Sequence, residues 1–236
     1  MGANLPHAGL AYIFTCDGTL NNTIGYASPS FSGYRFFAQY SNGVTTETGI
    51  GADDDRLFTA SVLYNNHGKL RFGAIATYHT HGSLEEKHNA TKDIMVSMNY
   101  DFDAFRLYLT YQHVFDGLGP NTMLRARAFG FGASEEGFDT DSFMAGVMKD
   151  LEGGTLSAVF QASRSEYKGD AKDGNLSTSG WRINPAAIYR YPISRRTTLW
   201  TALSWTHGYG MYRRVKDHPI DNPNATTWGA GVTHFF

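Results

Sequence analysis

Hydrophobic and polar positions alternate along most of this chain with the two-residue period of a β-strand, in blocks of about ten residues. The last block shows it most plainly: Trp228, Ala230, Val232 and Phe236 fall on one face, and Gly229, Gly231 and Thr233 on the other. Comparable blocks at 23–31, 34–42, 56–66, 70–82, 93–102, 105–115, 142–151, 155–167, 181–193, 198–209 and 227–236 predict about eleven strands. Their connections alternate in length. Residues 32–33, 67–68, 103–104, 152–154 and 194–196 are tight turns with Gly, Ser or Asp chemistry, whereas 43–55, 83–92, 116–141, 168–180 and 210–226 are longer and polar.

The two faces differ in chemistry. One carries Phe58, Ala60, Val62 and Tyr64, then Phe72, Ala74, Ala76 and Tyr78, then Leu107, Leu109 and Tyr111, then Leu199, Leu203 and Trp205. The other carries Arg35, Gln39, Ser41, Arg71, Thr77, Ser97, Asn99, Asp101, Arg106, Thr110, Gln112, Arg182, Asn184 and Arg190. Alternation alone also suits a soluble sandwich with its apolar face on a core. The aromatics separate the two readings. Tyr64, Phe102, Phe105, Tyr191 and Phe236 fall beside short turns, and Tyr78, Phe115, Trp181, Trp205 and Trp228 beside long loops, with aliphatic residues between. Two aromatic girdles around an aliphatic band match the two interfaces of a bilayer, which a tilted strand of about 9–11 residues can cross. The pattern therefore predicts an all-β chain: a transmembrane antiparallel β-barrel with apolar side chains toward lipid and polar ones toward a lumen. Long loops face outside and short turns face the periplasm.

Composition narrows the field. A mean hydropathy of −0.35 without an apolar run of helical length excludes a membrane-crossing helix, and it is what a chain shows when only alternate residues meet lipid. The 26 glycines, 14 tyrosines and 16 phenylalanines suit strands and turns, and a net charge of −2 excludes a dedicated nucleic-acid binder. The single Cys16 forms no internal disulfide and leaves the compartment open.

Candidate chemistry is sparse. His79 and His81 place two imidazoles on one face at a loop edge, but no third Cys, Asp or Glu follows at ligand spacing, so no metal site is expected. Asp53, Asp54 and Asp55, and the pair Asp139 and Asp141, read as solvated acidic loops, with divalent-cation contact near anionic lipid headgroups as the alternative. The sequence contains no Gly-x-Ser-x-Gly elbow, which leaves hydrolase chemistry without a foothold. His113 and His234 lie on the lipid-facing parity as interfacial or subunit-contact residues, and Lys149 on the same parity sits close enough to a turn to snorkel.

Residues 22–34 read NTIGYASPSFSGY and continue RFFAQY over 35–40; residues 229–236 read GAGVTHFF. The first string resembles the strand pair that follows the constriction loop in Gram-negative general porins, and the second resembles that family's closing strand. The resemblance implies a porin barrel domain over 1–236, with 1–22 as the remnant of the constriction-loop region and 23–236 as barrel strands. About eleven of the family's sixteen strands are then present, and residues 1–7 have no signal-peptide character. The chain is accordingly expected to correspond to the C-terminal two-thirds of a porin, since in the family five strands and a signal peptide precede the constriction loop; the first and last of eleven antiparallel strands would also run parallel, which does not close an all-antiparallel barrel in the usual way. The resemblance further implies a homotrimer in the outer membrane, in contact with lipid and lipopolysaccharide, that passes small hydrophilic solutes and ions without catalysis or cofactor. It assigns Arg35, Arg71, Arg106, Arg182 and Arg190 to the basic wall of a constriction. Asp17 is all that is left of the acidic side, and Phe236 becomes a signal to the barrel-assembly machinery. Pairing with neighbouring Asp or Glu is the competing role for each arginine. A non-conducting structural or adhesin-like barrel is the competing function.

Overall fold

The computed structural model describes residues 22–43, 56–81, 88–120, 129, 131, 135–169, 177–215 and 224–235. Cys16, Asp17, Asp53, Asp54, Asp55 and Phe236 lie outside the described residues.

Eleven strands form one antiparallel sheet in chain order: β1 (Thr23–Ala27), β2 (Tyr34–Asn42), β3 (Arg56–Asn65), β4 (Leu70–His79), β5 (Thr91–Asp101) and β6 (Arg106–Gly117), then β7 (Phe138–Leu151), β8 (Gly154–Tyr167), β9 (Ser179–Pro192), β10 (Thr197–Gly210) and β11 (Ala225–His234). Every neighbour in sequence is a neighbour in the sheet, and among the described residues β1 and β11 are its edges. Both edges run in the same direction, as an odd count requires.

The predicted strands are present, with two corrections. The first block is shorter than expected, since β1 ends at Ala27 and Pro29, which has no N–H to give a ladder, follows. Residues Phe31 and Tyr34 then exchange backbone bonds of 2.8 Å to close the turn. At the other extreme, β7 to β10 each run 14 residues, about 46 Å at 3.3 Å per residue, so they extend past a hydrocarbon core about 30 Å thick. The extension takes Asp139 and Asp141 out of the predicted loop and into β7.

Tight turns are held by the expected chemistry. Ser32, His67 and Asp103 adopt positive φ beside Gly33, Gly68 and Ala104, and Gly153 does so between β7 and β8. Asn65 Oδ1 accepts from His67 N at 3.0 Å, and Asp101 Oδ1 accepts from Asp103 N at 3.0 Å, the local side-chain bonds that favour Asx residues in turns.

The sheet is inverted relative to a soluble domain. Side chains on the lipid-facing parity stay open: Ile94 is 50% exposed, Leu203 53% and Val232 62%. The other face buries many polar side chains, among them Gln112, Ser165 and Asn184 at 0%, with Leu57, Val114 and Ile188 as apolar residues between them. Tyr34, Tyr64 and Phe72 stack at ring separations of 4.7 and 5.0 Å beside the short turns, and Phe102 packs on Phe105 at 4.8 Å. Trp181, Trp205, Tyr209 and Trp228 stand exposed near the long loops. This is the predicted pair of girdles.

One apolar cluster does exist, and it sits on the polar face at the long-loop end. Phe129 and Phe131, from the connection between β6 and β7, turn inward onto Phe138, Tyr167, Met211 and Tyr212. The last two belong to a 3-10 turn, Met211–Val215, that follows β10. A β-bulge between Val114 and Gly117 roots this connection, with Asp116 at φ 50° and its Oδ1 accepting from Gly137 N at 3.2 Å.

Candidate pore wall

Strand register settles which side chains share the polar face. Arg35 pairs with Leu63, Arg71 with Asn65 and Asn99, Arg106 with Asp101 and Met148, Arg182 with Ser163 and Gly208, and Arg190 with Thr155 and Trp200. Directly opposed residues point to the same face, so all five arginines lie on one side, with Gln112, Asn99 and Asn184.

They do not lie at one height. Arg35 and Arg71 are second in their strands, Arg106 first, and Arg190 is two residues from the end of β9, so four arginines crowd the short-turn mouth. Arg182 is eight residues from Arg190 along the same strand, about 26 Å at 3.3 Å per residue, in the long-loop half. Parity along a strand reports the face and says nothing of the level, which is why the sequence suggested a single wall.

The environments differ with the level. At the mouth, Arg35 and Arg71 are exposed, and the Arg35 guanidinium stands 5.2 Å from the Phe37 ring centre. Arg106 bonds to the wall: its Nε and Nη2 donate to Asp101 Oδ2 at 3.4 and 3.3 Å, and Nη1 donates to Tyr108 Oη at 3.4 Å. The turn just below adds an ion pair of Lys69 with Asp103, whose hydrogen-bonded carboxylate holds the Lys69 ammonium above its ordinary value. Arg182, by contrast, is 2% exposed, in a row with Ser163, Ser142 and Gln112, and Gln112 donates to Asp93 at 3.0 Å. The inward aromatic cluster is tied to this wall through Thr140, Ser165 and Tyr212, whose hydroxyls are 3.0 and 3.1 Å apart in sequence.

Histidines carry some structure the spacing did not announce. His79 turns to the polar face, 8% exposed, and its ring lies 4.5 Å from His81, which lies 5.2 Å from His88. Thr91 Oγ1 donates to Asp116 O at 2.8 Å, so at 2.8 Å His81 Nε2 is the donor to Thr91. Among the described residues no group of three or more His, Cys, Asp or Glu is arranged to hold a metal ion. His234 Nδ1 meets Thr197 Oγ1 at 2.9 Å across the last strand pair, and Lys149 is exposed on the lipid-facing parity near the β7–β8 turn. His113 and Asp141 meet on that same outer face, with ring nitrogen and carboxylate 2.7 Å apart.

A glycine pair on β11 has a use that only the fold exposes. Gly229 and Gly231 lie on the polar face beside Trp200, and a Cβ at 231 would come within 2.7 Å of the indole Cζ2. The absence of side chains there leaves room for the Trp200 ring against β11.

The sequence profile of the Gram-negative porin family matches residues 2–199. An outer membrane porin protein of Bordetella pertussis is 24% identical over 243 residues, covering 92% of this chain and 57% of that protein. Among solved structures, the anion-selective porin from Comamonas acidovorans superposes with a TM-score of 0.58 at 19% identity, over 92% of this chain and 60% of that one. OmpT of Vibrio cholerae gives 0.60 at 11% identity, over 91% and 64%. The chain thus spans about three-fifths of the length of the relatives it matches. With an exposed apolar wall, a polar inner wall and this family match, its location is the outer membrane, and the chain belongs to the Gram-negative porin family.

Proposed function

We propose that this chain forms the wall of a water-filled outer-membrane channel for passive diffusion of small hydrophilic solutes and ions, with no catalytic step and no cofactor. The observation that carries this reading is the inverted burial: apolar side chains outside, and Arg, Asn, Gln and Ser inside. Selectivity in such a pore follows from its width and the charge on its wall. Arg35, Arg71, Arg106 and Arg190 crowd one mouth, with Asp101 in contact with Arg106. A preference for anions follows, in keeping with the selectivity named for the Comamonas protein. In this reading the strands beyond both edges of the sheet complete the circumference, the barrel assembles as a homotrimer through the barrel-assembly machinery, and its outer wall contacts lipid and lipopolysaccharide.

The test is ion selectivity in a planar bilayer. Changing Arg71 and Arg106 together to Glu replaces two positive charges with two negative ones at the mouth, so the reversal potential under a salt gradient should move toward cation selectivity. An unmoved potential would place both side chains away from the ion path. A second reading, a structural or adhesin-like barrel with a blocked lumen, draws on the inward turn of Phe129 and Phe131 over the polar wall. Complete absence of conductance from refolded protein would favour it.

A further inference from the structure

We propose that the outer wall of β7, β8 and β9 holds one phosphorylated, acylated lipid of the outer leaflet, its phosphate on Arg164 and an acyl chain in the groove below. The proposal rests on the outer-membrane orientation above, with long loops outward.

Along the lipid-facing parity, His113, Asp141, Arg164 and Trp181 form one cross-strand row near the long-loop end. Ionised groups on this face are costly at the bilayer midplane and nearly free at the interface, which puts the row at headgroup level. Within it the Asp141 carboxylate is already engaged: Tyr111 Oη donates to Oδ1 at 2.6 Å and His113 Nδ1 at 2.7 Å. Arg164 is exposed, with its guanidinium 5.9 Å from the Trp181 ring centre, and no hydrogen bond from a described residue occupies its fork. A planar guanidinium held on an aromatic shelf presents paired N–H donors that match phosphate oxygens.

Toward the membrane centre the same three strands open into an apolar groove of about 490 Å³. Its floor is small because Ala145, Ala158 and Ala187 come from adjacent strands, and Phe160, Leu203 and Trp205 stand around it. Ala145 is four residues below Asp141, about 13 Å at 3.3 Å per residue, a span an acyl chain covers while its phosphate stays at the row above. A cation over an apolar trough, both open to the bilayer, is complementary to an anionic amphiphile.

Delipidated, refolded protein in uncharged detergent, titrated with bisphosphorylated lipid A and read by native mass spectrometry, tests this. Arg164→Gln, which removes the charge-assisted bonds, should raise the half-saturating lipid concentration at least about tenfold. Ala187→Leu, which fills the groove, should weaken the same adduct, and Lys149→Gln, a cation on this wall at the other interface, should leave it unchanged. Dephosphorylated lipid A should bind wild type as weakly as bisphosphorylated lipid A binds Arg164→Gln. Equal binding by wild type, Arg164→Gln and Ala187→Leu, each shown folded by heat-modifiable gel mobility, would overturn the proposal. So would an Ala187→Leu variant that loses a protein–protein contact in sedimentation while keeping its lipid, since the groove would then seat a second copy. Bilayer conductance of the same samples reports on the pore separately: silent channels with intact lipid binding would count against the pore alone.

Discussion

At the scale of single residues, the tight turns hold the clearest stored cost. His67 sits at φ 63° with no glycine freedom, in a region that strains L-residues by about 1–2 kcal/mol. Its backbone bond to Asn65 Oδ1 does not use the imidazole, so His67→Gly should keep the turn and raise the unfolding midpoint in urea. A lowered midpoint would mean that the imidazole contributes more than the strain costs. Two residues later the ion pair of Lys69 with Asp103 makes a signed prediction about pH. Because the folded value of Lys69 is raised above 10.5, the pair stabilises fully at neutral pH and fades as pH rises through that folded value. Thermal midpoints of wild type and Lys69→Met, compared from pH 7 upward, should therefore converge in the alkaline range, and a constant gap would remove the pair as the cause.

Among the elements, the inward connection between β6 and β7 departs furthest from a plain meander. Phe138 is 0% exposed, touches Phe129, Phe131 and Tyr167, and lies on the polar face of β7, where water would otherwise stand. Truncating a buried phenylalanine costs about 3–5 kcal/mol. Phe138→Ala should loosen this connection while leaving the ladder in place. Faster proteolysis within residues 121–136, at unchanged heat-modifiable mobility, is the expected result; unchanged cleavage would assign the anchoring to Met211 and Tyr212 instead. The same extension of β7 that buries Phe138 explains why Asp141 becomes a wall residue, since the cluster continues the β7–β8 pairing to Phe138 and Tyr167.

For the whole molecule, orientation follows from the alternation of turns and loops. In a Cys16→Ser background, a cysteine at Glu136, exposed beside the long-loop end, should react with a membrane-impermeant maleimide on intact cells, while one at Asp103 in a short turn should not. The reverse labelling would invert the molecule. Assembly gives a second whole-molecule prediction: removing Phe236 from the full-length protein should reduce outer-membrane yield, because the terminal aromatic is read by the insertion machinery in the proposed function. Equal yield would assign that role elsewhere.

The period-two pattern by itself determined the eleven strands, their order, the two faces, the girdles and the shared polar face of five arginines, because each of these is local along one strand or between consecutive strands. Only the tertiary structure decided what depends on position across strands. It separated Arg182 from the four arginines at the mouth, joined Asp101 to Arg106, and brought His113, Asp141 and Arg164 from three strands into one row. It also turned Phe129 and Phe131 inward, onto partners as distant in sequence as Tyr212. Height along a tilted strand and contact between loops are set by register and packing among distant segments, and hydrophobic periodicity carries no record of either.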